Sequence, residues 1–217
     1  QAHRWGIHPE PVQRAIMAKY FDMCTFVDAC IGQVLDKLAN RDLLEDTIVV
    51  FFSDHGEMLG AHGMIGKWFS LYDEVLRVPL AIRLPGKAVP PGRCAGMVSL
   101  VDLVPTMLDL LGQPTAPELP GRSLRPQLND PAAPTSDAVY AMIETARMIR
   151  TAEWKLCIHA GRSSLGYPRT LFTDDEGELY DLRQDPGEHH NLYHDTAHAA
   201  IRWQLARRLM EHEIHLQ

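Results

Sequence analysis

The sequence predicts an α/β fold, helix and buried strands, followed by a small antiparallel sheet and a terminal helix. Three observations carry this. A long stretch with helical spacing leads straight into an unbroken apolar run, Ile48 to Phe52. A glycine-punctuated polar loop separates that run from a second one, Val78 to Leu84. Beyond a proline-crowded zone, the apolar residues recur in short runs spaced for strands. With 217 residues, 46% hydrophobic and 23% charged, the chain can bury a real core.

From Pro9 to about Asn40, Ile16, Tyr20, Met23, Val27, Ile31, Val34 and Leu38 recur every three or four positions, with Arg14, Lys19, Asp28 and Lys37 off the stripe. This is a long amphipathic helix opened by prolines. Ile48-Val49-Val50-Phe51-Phe52 suits a strand covered on both faces of a parallel sheet. Ser53 to Trp68, with Gly56, Gly60, Gly63 and Gly66, is a long functional loop. Val78 to Leu84 is the second strand, and Asp102 is expected to cap a short helix, Leu103 to Leu111, ended by Gly112.

Prolines between Gln113 and Thr135 mark a boundary, so residues 1–135 form the larger α/β part and 136–217 a small α+β subdomain. In the latter, Val139–Ile143, Arg147–Arg150, Trp154–Ile158 and Glu178–Leu182 read as an antiparallel sheet, and Thr196 to Glu213 as the final helix.

A net charge of −7 without a basic tract argues against nucleic acid and anionic membrane as partners. No apolar run approaches the roughly 18 residues that cross a bilayer, which predicts a soluble chain, with cytoplasm and periplasm both open. Four cysteines, Cys24, Cys30, Cys94 and Cys157, lack CxxC spacing and read as free thiols.

The sharpest feature is Ser53-Asp54-His55-Gly56, directly after the first strand. Ligand sites in open α/β sheets lie at the carboxyl ends of strands. Asp and neutral His both ligate divalent cations, and a following glycine lets the backbone turn so that both reach one ion. Lys67, thirteen positions after Asp54, adds a cation for an anionic group such as sulfate or phosphate. A bare Asp-His-Gly also suits a helix cap with a loop histidine, and the glycine-rich segment ending in Lys67 is what tips the balance toward a site.

Ser53-Asp54-His55-Gly56-Glu57-Met58-Leu59-Gly60, His62-Gly63, Gly66-Lys67 and Arg77-Val78-Pro79-Leu80 together resemble the C-terminal half of the sulfatases of the alkaline phosphatase superfamily. The likeness continues through Ser99 to Thr106, Gly121-Arg122-Ser123-Leu124, Trp154-Lys155, Glu178 to Leu182, Asp185-Pro186 and Glu188 to Leu192. The resemblance implies an alkaline-phosphatase-like sheet, Asp54 and His55 as metal ligands, and Lys67 on the oxygens of the ester. It further implies one divalent ion, Ca²⁺ first and Mn²⁺ second, because many sulfatases carry Asn where this chain has His55.

Family members also use a formylglycine nucleophile made from a Cys/Ser-x-Pro-x-Arg motif, and two adjacent aspartates upstream. No cysteine here has that setting. The expectation is therefore a C-terminal fragment of a sulfuric ester hydrolase, inactive alone, whose partners are a small sulfate ester and the N-terminal half. Self-association through exposed apolar surface stays open. A phosphonate monoester or phosphodiester hydrolase is the nearest alternative, and a non-catalytic anion-binding module the more distant one.

Several other residues carry weaker signals. His62 is a candidate third ligand or proton donor, though a loop histidine beside glycine is more often local. Arg77 is expected to pair with Asp73 or Glu74, and His190, His194 and His198, four apart, would suit zinc only on one helix. His3 and His8 lack the setting of the family's upstream histidine. Trp68, Phe69 and Tyr72 are the aromatics placed to line a pocket mouth.

Overall fold

The computed structural model describes residues 9–67, 70–86, 91–144, 146–159 and 177–215. His3, His8, Trp68 and Phe69 lie outside them. The chain forms two compact units, residues 1–68 with 72–90, and 69–71 with 91–217.

In the first unit α1 runs over Glu10–Ala39, close to the span that periodicity predicts. Pro11 in its first turn costs no hydrogen bond, since the first N–H groups of a helix have no partner within it. No residue of α1 is fully buried, and its apolar stripe stands half-buried or open, with Met23 65% and Phe26 69% exposed. A tight turn, Leu44–Asp46, leads into β1, Val49–Phe52. A single turn of helix, α2 (Asp73–Leu76), precedes β2, Leu80–Arg83.

β1 and β2 pair antiparallel, with Val49 opposite Arg83 and Phe52 opposite Leu80. The Arg83 guanidinium fixes this ribbon to the turn before β1, donating to the Leu44 carbonyl at 2.6 Å and to the Glu45 carboxylate at 2.7 Å. The expectation of a parallel strand covered on both faces is corrected here. Phe51 and Phe52 are 43% and 48% exposed. Their composition encodes a capacity for burial, but burial needs layers on both faces, and a two-stranded ribbon supplies neither.

The second unit opens with a 3₁₀ turn, Leu100–Asp102, that runs directly into α3, Leu103–Leu110. Asp102 is therefore not the simple cap expected of it. Its buried carboxylate accepts the Ser99 N–H at 2.9 Å and the Arg122 N–H at 3.0 Å, hooking the Gly121–Leu124 segment onto the start of α3. Gly121 is required at that crossing, because a Cβ would stand 2.1 Å from the Val101 carbonyl oxygen. Thr106 completes the lock by accepting the Leu124 N–H at 2.8 Å. A short α4, Arg125–Asn129, follows.

Strands β3 (Ala138–Ile143), β4 (Ala146–Thr151), β5 (Trp154–His159) and β6 (Gly177–Asp181) form an antiparallel meander in sequence order. Alternate residues Ala138, Ile149, Leu156 and Leu179 pack against Leu205, Ala206 and Leu209 of α5, Ala199–His215. Asp195 caps the turn that opens this helix, accepting the Ala197 N–H. Among the described residues no helix is long and apolar enough to cross a membrane.

Candidate metal and anion site

The Asp54-His55 pair follows β1 at the end of the ribbon, and what comes next fixes both side chains. Gly56 passes so close to α2 that a Cβ would lie 2.0 Å from the Glu74 carbonyl oxygen. Its N–H donates to the Val75 carbonyl at 2.7 Å. With residue 56 locked, the chain turns sharply and presents Asp54 and His55 on one side. The Ser53 hydroxyl donates to the His55 carbonyl at 2.8 Å, and the Asp54 carboxylate accepts the His55 N–H at 3.0 Å.

Nδ1 of His55 lies 2.8 Å from the Gly56 carbonyl oxygen. A carbonyl only accepts, so the proton belongs on Nδ1, and Nε2 keeps its lone pair. That nitrogen is 3.7 Å from Oδ2 of Asp54. Two donors held by one cation at about 2.0–2.4 Å stand roughly 3–4 Å apart, so this spacing is compatible with a shared ion. The residues present thus fit a divalent ion. The Asp54 side chain is 81% exposed, so the pair faces outward. Among the described residues no three His, Cys, Asp or Glu side chains gather tightly enough to complete a metal centre.

The loop beyond is closed on itself. The Glu57 carboxylate accepts the Leu59 N–H at 3.2 Å and also the Gly66 N–H, nine residues on. Gly60, at φ 98°, and Gly66, at φ 92°, occupy left-handed backbone that glycine adopts without strain. Lys67 follows, with an exposed side chain. The buried Tyr72 stacks on His62, ring centroids 3.9 Å apart. Gln13 of α1 reaches this loop, its Oε1 standing 3.4 Å from where a Cβ would sit on Gly60; burial, then the charges of Cys24 and Glu57, pushes the Tyr20 phenol above its ordinary value.

Other sequence candidates resolve as structure. Arg77 reaches Asp73 at 4.0 Å, as expected. His190 and His198 pair with Asp185 and Asp195 rather than with each other. None of the four cysteines is in a disulfide. Sequence reasoning passed over Glu57 and read Asp102 only as a helix cap. Each acts through backbone N–H groups distant in sequence, nine positions for Glu57 and twenty for Asp102, a spacing that no local pattern announces.

The sulfatase family profile matches residues 4–113, and the profile described as N-sulphoglucosamine sulphohydrolase, C-terminal, matches residues 60–215. The chain belongs to the sulfatase family. An N-acetylglucosamine-6-O-sulfatase from Bacteroides thetaiotaomicron is 33% identical over 202 residues, covering 90% of this chain and 35% of that protein. The structure of BT4656 in complex with its substrate D-glucosamine-2-N,6-O-disulfate superimposes with a TM-score of 0.73 at 32% identity, over 88% of this chain and 38% of the other. The phosphonate monoester hydrolase of Agrobacterium radiobacter gives a TM-score of 0.76 at 29% identity, over 94% of this chain and 42% of the other. The fold is therefore that of the alkaline-phosphatase-like sulfatases, and the chain spans little more than a third of the curated relative's length.

Proposed function

We propose that this chain supplies one half of the active centre of a sulfuric ester hydrolase acting on sulfate monoesters. The observation that supports this most is the Asp54–His55 pair, 3.7 Å apart with Nδ1 of the histidine tied to a carbonyl, inside a loop that matches the sulfatase family. Asp54 and His55 would hold a divalent ion, Ca²⁺ or Mn²⁺, completed by ligands from the remainder of the sulfatase fold. When bound, such an ion acts as a Lewis acid that draws negative charge from the reacting ester.

The residues of this chain do the rest. Gly56, pressed against α2, keeps the His55 ring aimed, and the Gly56 carbonyl holds its proton on Nδ1 so that Nε2 stays a donor of electrons. Lys67 brings one positive charge to an ester group that carries one negative charge, a match suited to sulfate monoesters. The nucleophile, formylglycine in this family, and the remaining ligands come from the other half, so the chain alone does not turn over. Its counterpart is the N-terminal portion of a sulfatase. The sulfatase match ends at residue 113 and the meander begins at Ala138, which supports assigning residues 1–135 to the catalytic domain and 136–217 to a small subdomain, while the compact units part earlier, between residues 90 and 91.

A second reading, hydrolysis of a singly charged phosphonate monoester or phosphodiester, draws support from the likeness to the phosphonate monoester hydrolase and from His55, an imidazole that also accepts Mn²⁺. Kinetics of the complete enzyme on p-nitrophenyl sulfate, phenylphosphonate and phosphate at one pH separate the readings. Either singly charged ester is expected to exceed the phosphate monoester in kcat/KM. Preference for the dianionic phosphate overturns the assignment.

A further inference from the structure

We propose that Glu57 is a positioning residue whose carboxylate clamps the ends of the 57–66 loop together and so sets where Lys67 stands relative to Asp54 and His55. This rests on the reading of Lys67 as the cation for the ester oxygens. The same oxygen, Oε1, accepts the N–H groups of Leu59 and Gly66. Met58 adds a parallel tie, its N–H reaching the Gly66 carbonyl at 3.4 Å. The peptide that enters Lys67 is thereby held against the residues that leave the Asp54-His55 turn.

The segment between is folded as tightly as its ends. The Gly60 N–H donates to the Met64 carbonyl at 2.7 Å, and the Ala61 N–H to that of Met58 at 2.7 Å. Left-handed backbone recurs at Leu59, Gly60, His62, Gly63 and Gly66, two of them with side chains that disfavour it. Such a loop is stable only if something over-determines it, and a charged acceptor shared by two N–H groups is a strong tie of this kind. Turned into the loop, the Glu57 carboxylate serves the backbone instead of joining Asp54 and His55 as a third ligand.

A clamp one peptide bond from Lys67 makes two predictions that a purely structural role does not. In the complete enzyme carrying this sequence, Glu57→Ala is expected to lower kcat/KM for p-nitrophenyl sulfate about 10- to 100-fold with metal content unchanged, the penalty of a displaced charged group. Glu57→Gln, which keeps an acceptor oxygen, should stay within about threefold of wild type. The effect must also vanish without the lysine, so Glu57→Ala in a Lys67→Ala background should cost nothing further. Independent multiplication of the two losses overturns the proposal, as does loss of metal in Glu57→Ala. If Lys67→Ala itself leaves kcat/KM intact, the lysine reading fails, and amide exchange then judges the clamp separately. Acceleration of Gly66 N–H exchange by at least about tenfold in Glu57→Ala sustains the clamp, and unchanged exchange ends it.

Discussion

In the second unit Ile149, Leu156 and Leu179 are wholly removed from solvent against α5, whereas in the first unit the thirty residues of α1 include none that is fully buried. The polar residues divide the same way. The second unit buries the Lys155–Glu188 ion pair, 2.7 Å apart with both side chains 1% exposed, while the first presents Asp54 and His55 outward. One unit completes its own core, and the other leaves open both the apolar stripe of α1 and the Asp54-His55 turn. The proposed site residues, Asp54, His55 and Lys67, all lie in the less enclosed unit.

The sharpest way to break this contrast is to remove one charge from the buried pair. Lys155→Met leaves the Glu188 carboxylate without its cation in a site closed to water, and the expected loss is about 3–5 kcal/mol. Replacing both, as Lys155→Met with Glu188→Leu, should recover most of it. Urea unfolding followed by the far-ultraviolet signal decides the matter, and a single variant within about 1 kcal/mol of wild type would show that this unit does not depend on its interior charges.

Gly56→Ala tests the first unit where it is most constrained. The added methyl meets the Glu74 carbonyl oxygen at 2.0 Å, so the turn or α2 must shift, at about 1–3 kcal/mol. Because the same turn aims His55, divalent affinity should fall at least about tenfold. Calorimetric Mn²⁺ titration of the complete enzyme beside its unfolding curve checks both. Retained affinity in a destabilised protein would separate the turn from the site.

Acid should act chiefly on the second unit. The Arg183 side chain, against the opposing effect of burial, holds Asp181 below the usual carboxylate range, and at Asp185 burial works upward but the N–H groups and charges of His190 and His189 outweigh it. Depressed folded values mean stability that is complete above about pH 4, near the unfolded carboxylate value, and is lost as pH falls through the lower folded values. Unfolding midpoints between pH 7 and 3 should stay level and then drop, and the drop should shrink in Asp181→Asn. A midpoint that rises below pH 4 contradicts the sign.

These contrasts also explain what was legible in the sequence. α1 and the four meander strands were found within a residue, and α5 within three, because each depends on local periodicity. Asp54 and His55 stood out as candidates because they directly follow an apolar run, and Lys67 because a glycine-rich segment leads to it. The antiparallel pairing of β1 with β2 was missed, since an apolar run states that a strand can be buried and not which neighbour it has. Glu57 was passed over, and Asp102 read only as a helix cap, for a related reason. Their partners are backbone N–H groups, and every residue type but proline offers one, so the sequence at the far end carries no mark.

The smallest effect on stability, and the most telling about the first unit, is expected at Phe26. This ring is 69% exposed on α1, in company with Met23 at 65% and Val34 at 61%. Phe26→Gln removes little that the chain itself buries, so its unfolding free energy should change by no more than about 0.5 kcal/mol. Association should respond where stability does not. Exposed apolar surface of this kind is expected to drive self-association of the isolated chain and docking of the rest of a sulfatase fold. Sedimentation velocity should therefore show less oligomer for Phe26→Gln, and a titration with the N-terminal portion of the sulfatase should show weaker binding. A large loss of stability with association untouched would mean that α1 already belongs to a closed core, and the contrast between the two units would be lost.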